Sequence, residues 1–197
     1  MKFNKLAASF FFAGMLLLSG CGSSGDSSTA PTQPTQPTQP TQPTQPTQPN
    51  TPVVLDSTTI ISTKGEVIQV DKTVGGFVFH GYEGKIVLLE VYGDTCPHCV
   101  KAIPSYNNLQ AKYPDDVVII ALETYGTLSN APKQQYITIP KSKIGSMPSF
   151  IHSLTGYNFQ GVPYLMILSR DGDLVHEFTA GSDLNFGTVE SFIQSLR

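Results

Sequence analysis

Charge of one sign, long apolar runs and cysteine are all scarce in this 197-residue chain. Lysine and arginine number 12 against 15 aspartates and glutamates. No basic stripe runs along the sequence, so the electrostatic footprint of a nucleic-acid binder is missing. The apolar run near the N-terminus, Leu6 to Leu18, is interrupted by Ser9 and Gly14 and falls short of the ~20 residues that span a bilayer. Cysteine occurs 3 times. Two of these, Cys96 and Cys99, flank a Pro-His pair in Gly93-Asp-Thr-Cys-Pro-His-Cys99. Structural zinc wants four ligands, and no second Cys-x-x-Cys exists to supply them. His98 lies between the thiols, but His80, His152 and His176 are scattered along the chain. No metal is therefore assigned. A staple is an equally poor reading, because closing a two-residue loop removes almost no entropy from the unfolded chain.

What is present begins with Lys2 and Lys5 ahead of the short apolar run, followed by small residues. That is the build of an export signal over residues 1–20; the competing reading is a membrane anchor helix. Leu18-Ser19-Gly20-Cys21 resembles the bacterial lipobox, in which the signal is cut before the cysteine and the cysteine then carries lipid. The resemblance implies that Cys21 is the lipidated first residue of the mature chain. It implies attachment to a membrane through lipid, in the bacterial cell envelope, with the rest of the chain facing the periplasm or exterior. It also leaves Cys96 and Cys99 as a pair. An ordinary signal peptide with a spare thiol is the alternative.

Residues 21–52 hold no core. After a Ser/Gly-rich start, Pro-Thr-Gln repeats six times from Pro31 to Gln48, and nothing apolar is available to bury. Proline at every third position suits polyproline II, with its three residues per turn. About 20 such residues reach ~60 Å. The tract reads as a tether, or as a tolerated low-complexity insertion.

The domain occupies residues 53–197. Ile86–Tyr92 and Val117–Leu122 are nearly continuous apolar runs, the pattern of strands buried on both faces. Between them Val100, Ile103, Tyr106, Leu109 and Tyr113 recur at helical spacing. A strand–helix–strand unit follows, with a right-handed crossover. Tyr164–Leu168 predicts a third buried strand. Asp171-Gly172 predicts a turn into a fourth strand, Leu174 to Thr179. Val189, Phe192, Ile193 and Leu196 mark one stripe of a closing helix. In the interval 123–161 a short helix is expected near Pro148–Leu154, with Pro148 in its first turn and Gly156 past its end. Glu66–Val70 and Phe77–His80 are expected as short edge strands.

Cys96 thus falls where the first buried strand ends and a helix begins. Unpaired N–H groups at a helix start and the helix dipole both favour negative charge on its sulfur. The chemistry left for the pair is thiol–disulfide exchange, in a compartment where oxidised pairs persist.

These residues resemble the thioredoxin superfamily over residues 84–197. The resemblance is carried by a Cys-x-x-Cys at a helix start, Pro104 inside that helix, and a β-β-α half opened by Pro163 in Gly161-Val-Pro-Tyr164. It implies a thioredoxin fold: α/β, a central mixed sheet flanked by helices, β-α-β then β-β-α, with a short helical insertion between the halves. It also implies that Pro163 is cis and lies beside the cysteines. Cys96-Pro97-His98-Cys99 is the motif of the disulfide-forming oxidant DsbA, Val162 is DsbA-like, and Glu90 matches a buried acid of the family. The short interval instead resembles the membrane-tethered TlpA/ResA group, reductants that serve cytochrome c maturation. Thr95 stands where thioredoxin has tryptophan.

The roles this implies are an exposed nucleophile for Cys96, a more buried resolving thiol for Cys99, and a proton shuttle for Glu90, its carboxyl raised by desolvation. Val162 and Pro163 would offer backbone groups to an extended substrate. Tyr92, Tyr164 and Phe159 form either an apolar contact surface or core. A hydrogen bond or charge from His98 toward the Cys96 sulfur stabilises the dithiol form, which pushes the pair toward oxidant or isomerase poise. The expected partners are exported proteins with cysteines and a membrane or soluble redox partner, with no cofactor. Two alternatives stay open: a TlpA/ResA-like reductant, and a non-catalytic binding module or chaperone on the same scaffold.

Overall fold

The computed structural model describes residues 52–179 and 184–197. The signal segment, Cys21 and the Pro-Thr-Gln tract lie outside the described residues.

Every residue of β4 (Ile86–Gly93) and β7 (Tyr164–Leu168) is buried, as are the first seven of β5 (Val117–Tyr125). They form the middle of a five-stranded sheet with β6 (Ile137–Ile139) and β8 (Leu174–Phe178) at its edges, in the order β6-β5-β4-β7-β8. β4 and β6 run parallel to β5, while β7 is antiparallel to β4 and β8 to β7. A sheet covered on both faces needs apolar side chains at odd and even positions alike, which is why these strands read as continuous runs rather than alternations.

The two faces have separate cores. Val87, Leu89 and Val91 face Ile120, Leu122, Met166, Phe150 and the upstream sheet. Ile86, Leu88 and Tyr92 face Ile119, Ala121, Leu165 and the helices α1 (Pro97–Lys112) and α3 (Phe186–Leu196). Fully burying one such aliphatic side chain is worth about 1.5–3 kcal/mol. α1 runs through Pro104 without ending. α3 starts at Asn185, whose side-chain oxygen accepts from the N–H groups of Gly187 and Thr188. The insertion helix α2 (Met147–Thr155) carries proline in its first turn and stops at Gly156, which takes φ 76° and donates its N–H to His152 O.

The upstream strands differ from expectation. β2 (Val67–Thr73) and β3 (Phe77–Phe79) do not edge the main sheet; with β1 (Val54–Ile61) they make a separate antiparallel three-stranded sheet, order β1-β2-β3. This sheet is tied to the β7–β8 hairpin by Phe77 N donating to Gly172 O and Leu174 N donating to Gly75 O. Gly172 (φ 86°) is required there, because a Cβ would collide with the Phe77 carbonyl. β1 and the three-residue β6 are elements that sequence reasoning missed. Among the described residues, no helix is long and apolar enough to cross a membrane.

Candidate functional site

β4 points at the cysteine pair. It ends at Gly93, two residues short of the loop position where Thr95 hands over to Cys96, the N-cap of α1. Cys96 N donates to Gly93 O at 3.0 Å, and Val100 N to Cys96 O at 3.0 Å. Pro97 follows at the first helical position, where its missing N–H removes nothing. The Cys96 sulfur accepts from Cys99 N at 3.3 Å. It therefore does for the helix what a serine or aspartate oxygen does at an ordinary N-cap, and that N–H supports negative charge on sulfur. His98 is exposed on the same first turn.

The Val162–Pro163 peptide is cis. The Cys96 thiol donates to Val162 O at 3.6 Å. One observation differs from the expected exposed nucleophile: Cys96 is only 6 % exposed, against 2 % for Cys99. A residue far away in sequence packs against it, the Val162 carbonyl accepting from its thiol. Both cysteines are present as thiols. Burial first, and then the hydrogen bond with Cys96, hold the Cys99 thiol well above its ordinary range, with the backbone at Gly93 acting in the opposite direction.

Glu90 shares the parity of Leu88 and Tyr92 on β4 and so faces α1. It is 1 % exposed. Its Oε1 has no hydrogen-bond partner among the described residues, and neither has the hydroxyl of Tyr106, which is buried on α1. With no donor to hold it ionised, the carboxyl is pushed by burial up to about 8. Its charge acts on Cys99. The structure thus brings Cys96 and Cys99 against the carbonyl ahead of cis Pro163, with Glu90 buried in the strand that leads to them. Tyr92 and Tyr164 are 2 % and 1 % exposed and belong to the core, not to a contact surface. Phe159 is half-buried at φ 62°.

Two functional neighbours went unread in the sequence. Asp94 is buried, and its carboxylate accepts from Ser129 N (2.8 Å), Ser129 Oγ (2.7 Å), Asn130 N (2.8 Å) and Thr127 N (3.4 Å). Asn130 Nδ2 returns a bond to Asp94 O at 2.8 Å. Burial acts to raise the Asp94 carboxyl, but these donors outweigh it and hold it below its ordinary value. The cysteine-bearing turn is thereby clamped to the loop after β5. Tyr125, the last residue of β5, is the second neighbour. Neither carries a local motif; only the fold brings residues 94 and 130 together. The described residues include no group of three histidine, cysteine or acidic side chains able to hold a metal.

No protein-family model matches the chain, and no curated relative does. Solved structures do. The thioredoxin domain of a thiol-disulfide oxidoreductase from Bacteroides vulgatus is 20 % identical, with 74 % of this chain and 99 % of that one covered at TM-score 0.51. A secreted Mycobacterium tuberculosis disulfide oxidoreductase, homologous to E. coli DsbE, is 13 % identical, covering 70 % and 95 % at TM-score 0.51. The exposed lipoprotein thioredoxin of Streptococcus pneumoniae is 16 % identical, covering 72 % and 100 % at TM-score 0.50. The likeness is one of architecture: an α/β protein with a mixed sheet between helices, its cysteine pair at a helix start. This chain has the thioredoxin fold.

Proposed function

We propose that the protein is a membrane-tethered thiol:disulfide oxidoreductase that exchanges disulfides with exported proteins through Cys96 and Cys99. The observation that carries the reading is the Cys96 sulfur itself. It caps a helix, takes the Cys99 amide, and meets the carbonyl ahead of cis Pro163. A protonated acid lies beneath its partner thiol.

The exchange balances in two steps. Starting from the Cys96–Cys99 disulfide, a substrate thiolate attacks the Cys96 sulfur. A substrate–Cys96 bond forms, the Cys96–Cys99 bond breaks, and Cys99 leaves as a thiolate that takes the proton of Glu90. A second substrate thiolate then attacks the substrate sulfur of the mixed disulfide, and Cys96 leaves as thiolate. The substrate has gained a disulfide and lost two electrons; the protein holds them as a dithiol. A redox partner that presents a disulfide restores the pair. Run backwards, the same steps reduce a substrate, with Cys96 attacking and Cys99 resolving. Val162 and Pro163 offer their backbone to the extended substrate segment beside the attacked sulfur.

Direction leans to oxidant or isomerase, because whatever holds charge on the Cys96 sulfur stabilises the dithiol and makes the disulfide easier to give away. The amide of Cys99 does this, and His98 on the same turn adds to it. The short insertion between β5 and β7, which carries α2, β6 and two single 3-10 turns, favours the reductant as the second reading.

The test is turnover of a model disulfide or dithiol peptide by wild type and C96S. Loss of all exchange in C96S supports the enzyme; undiminished exchange contradicts it. Attachment is tested by C21S in a bacterial host: wild type should fractionate with membranes and C21S should not.

A further inference from the structure

Tyr125 has no place in the core, since its side chain is 45 % exposed. The chain nonetheless makes two departures from regular structure to position it. The first is a bulge. Along β5 the parallel register with β4 is regular up to Tyr92 opposite Glu123, but Gly93 then pairs with Tyr125, leaving Thr124 as an extra residue. The Thr124 hydroxyl donates to Tyr92 O at 3.1 Å, and Asp94 N donates to Tyr125 O at 2.9 Å. An extra residue in one strand re-aims the side chain that follows it, and such bulges gather beside active sites. The second departure is Gly93. A Cβ there would fall inside van der Waals contact with Cζ, Cε1 and Cε2 of the Tyr125 ring. The phenol end of the ring therefore lies directly over residue 93, whose carbonyl receives the Cys96 amide.

From this geometry we infer that Tyr125 is a further catalytic residue: its hydroxyl donates a hydrogen bond to the Cys96 sulfur, and its ring covers that sulfur from the side opposite Val162. The inference rests on the thiol–disulfide reading above and deepens it. The phenol end lies against Gly93, whose carbonyl takes the Cys96 amide, which sets the hydroxyl beside the cysteine turn. Burial, and then negative charge at Cys96 and Cys99, raise the phenol above its ordinary value, so it stays a protonated donor at neutral pH. The bond exists only while the sulfur is free to accept it as an anion, and it therefore adds to the dithiol form and weakens the disulfide. The same ring accounts for the low exposure of Cys96. An incoming substrate segment must displace it or pack against it.

The test compares wild type, Y125F and Y125A in glutathione buffers of stepped ratio, with the dithiol fraction read by thiol alkylation and thermal melts run in parallel. Y125F keeps the ring and loses only the donor. Its equilibrium should shift toward the disulfide by about tenfold, which is about 30 mV for a two-electron couple. Y125A should show the same shift, and in addition its Cys96 should react several-fold faster with a bulky maleimide, whereas Y125F should not. A purely structural tyrosine would change the melt and leave the glutathione midpoint in place. If wild type exchanges with glutathione while Y125F keeps the wild-type midpoint, the Tyr125 assignment falls and the function stands. If the wild-type pair does not exchange at all, function and assignment fall together.

Discussion

Replacing Glu90 by glutamine should make the protein more stable at pH 8 and poorer at exchange, and the stability gain should vanish in mild acid. In an unfolded chain the carboxyl loses its proton near 4.5, whereas burial holds the proton on to about 8 in the folded protein. Between those values the folded state binds more protons than the unfolded one, so stability falls as pH rises through the window. At about 1.4 kcal/mol per pH unit, the cost accumulated between pH 5 and pH 8 is about 3 kcal/mol. Glutamine cannot ionise and carries none of it. Urea unfolding of the reduced proteins at pH 5, 6, 7 and 8 measures this: the stability of E90Q relative to wild type should rise across the series by about 3 kcal/mol. Comparing the two proteins cancels the other titrating groups. In the same variant, the proton that meets the leaving Cys99 thiolate is gone, and opening of the Cys96–Cys99 disulfide to the mixed disulfide should slow by about 10²-fold or more. A stability difference that stays constant from pH 5 to pH 8 would refute the reasoning, because the carboxyl would then be ionising in the folded state as it does in water.

Two further expectations concern the cysteine turn. D94N should cost about 2 kcal/mol or more at neutral pH, since a carboxylate that accepts charge-assisted bonds from Thr127, Ser129 and Asn130 is replaced by a neutral amide. The Asp94 carboxyl is held below its ordinary value, so its contribution is complete above about pH 4 and is lost as pH falls through the folded value; the acid side of the wild-type stability curve should be steeper than that of D94N. Changing Cys99 to alanine removes the resolving thiol, and a substrate disulfide should then accumulate on Cys96 as a mixed disulfide visible on a non-reducing gel. If the trapped adduct forms equally well in the C96S/C99A double variant, Cys96 is not the attacking atom.

What was legible in the sequence followed from burial on both faces. β4, β5 and β7 are unbroken apolar runs because α1 and α3 cover one side and α2 with the small sheet covers the other. α1 was legible because one stripe buries Ile103, Tyr106 and Leu109. β1 was not, since five of its first six residues, 54–59, are exposed and its polar side chains resemble a continuation of the linker. β6 is three residues long and is held by register with β5 rather than by its own pattern.

At the site, Cys96, Cys99 and Pro163 were legible because a helix start and a strand-opening proline have local signatures. Glu90 was legible because a charge in the middle of an apolar strand can only be buried. The burial of Cys96 was not, because it depends on residues such as Val162 that only tertiary structure brings beside it. For Tyr125 the obstacle is specific: alternation along β5 assigns faces correctly up to Glu123, and the extra residue at Thr124 breaks the count just where it matters.

An oxidant requires a dithiol made more stable by the hydrogen bond that the Cys96 sulfur accepts from Cys99 N. The reduction potential of residues 53–197, obtained by equilibration with glutathione and alkylation of the free thiols, tests this most directly. A reversible two-electron transition with its midpoint near or above about −150 mV is the expected result. A midpoint below about −250 mV, or no intramolecular disulfide at any glutathione ratio, would contradict it.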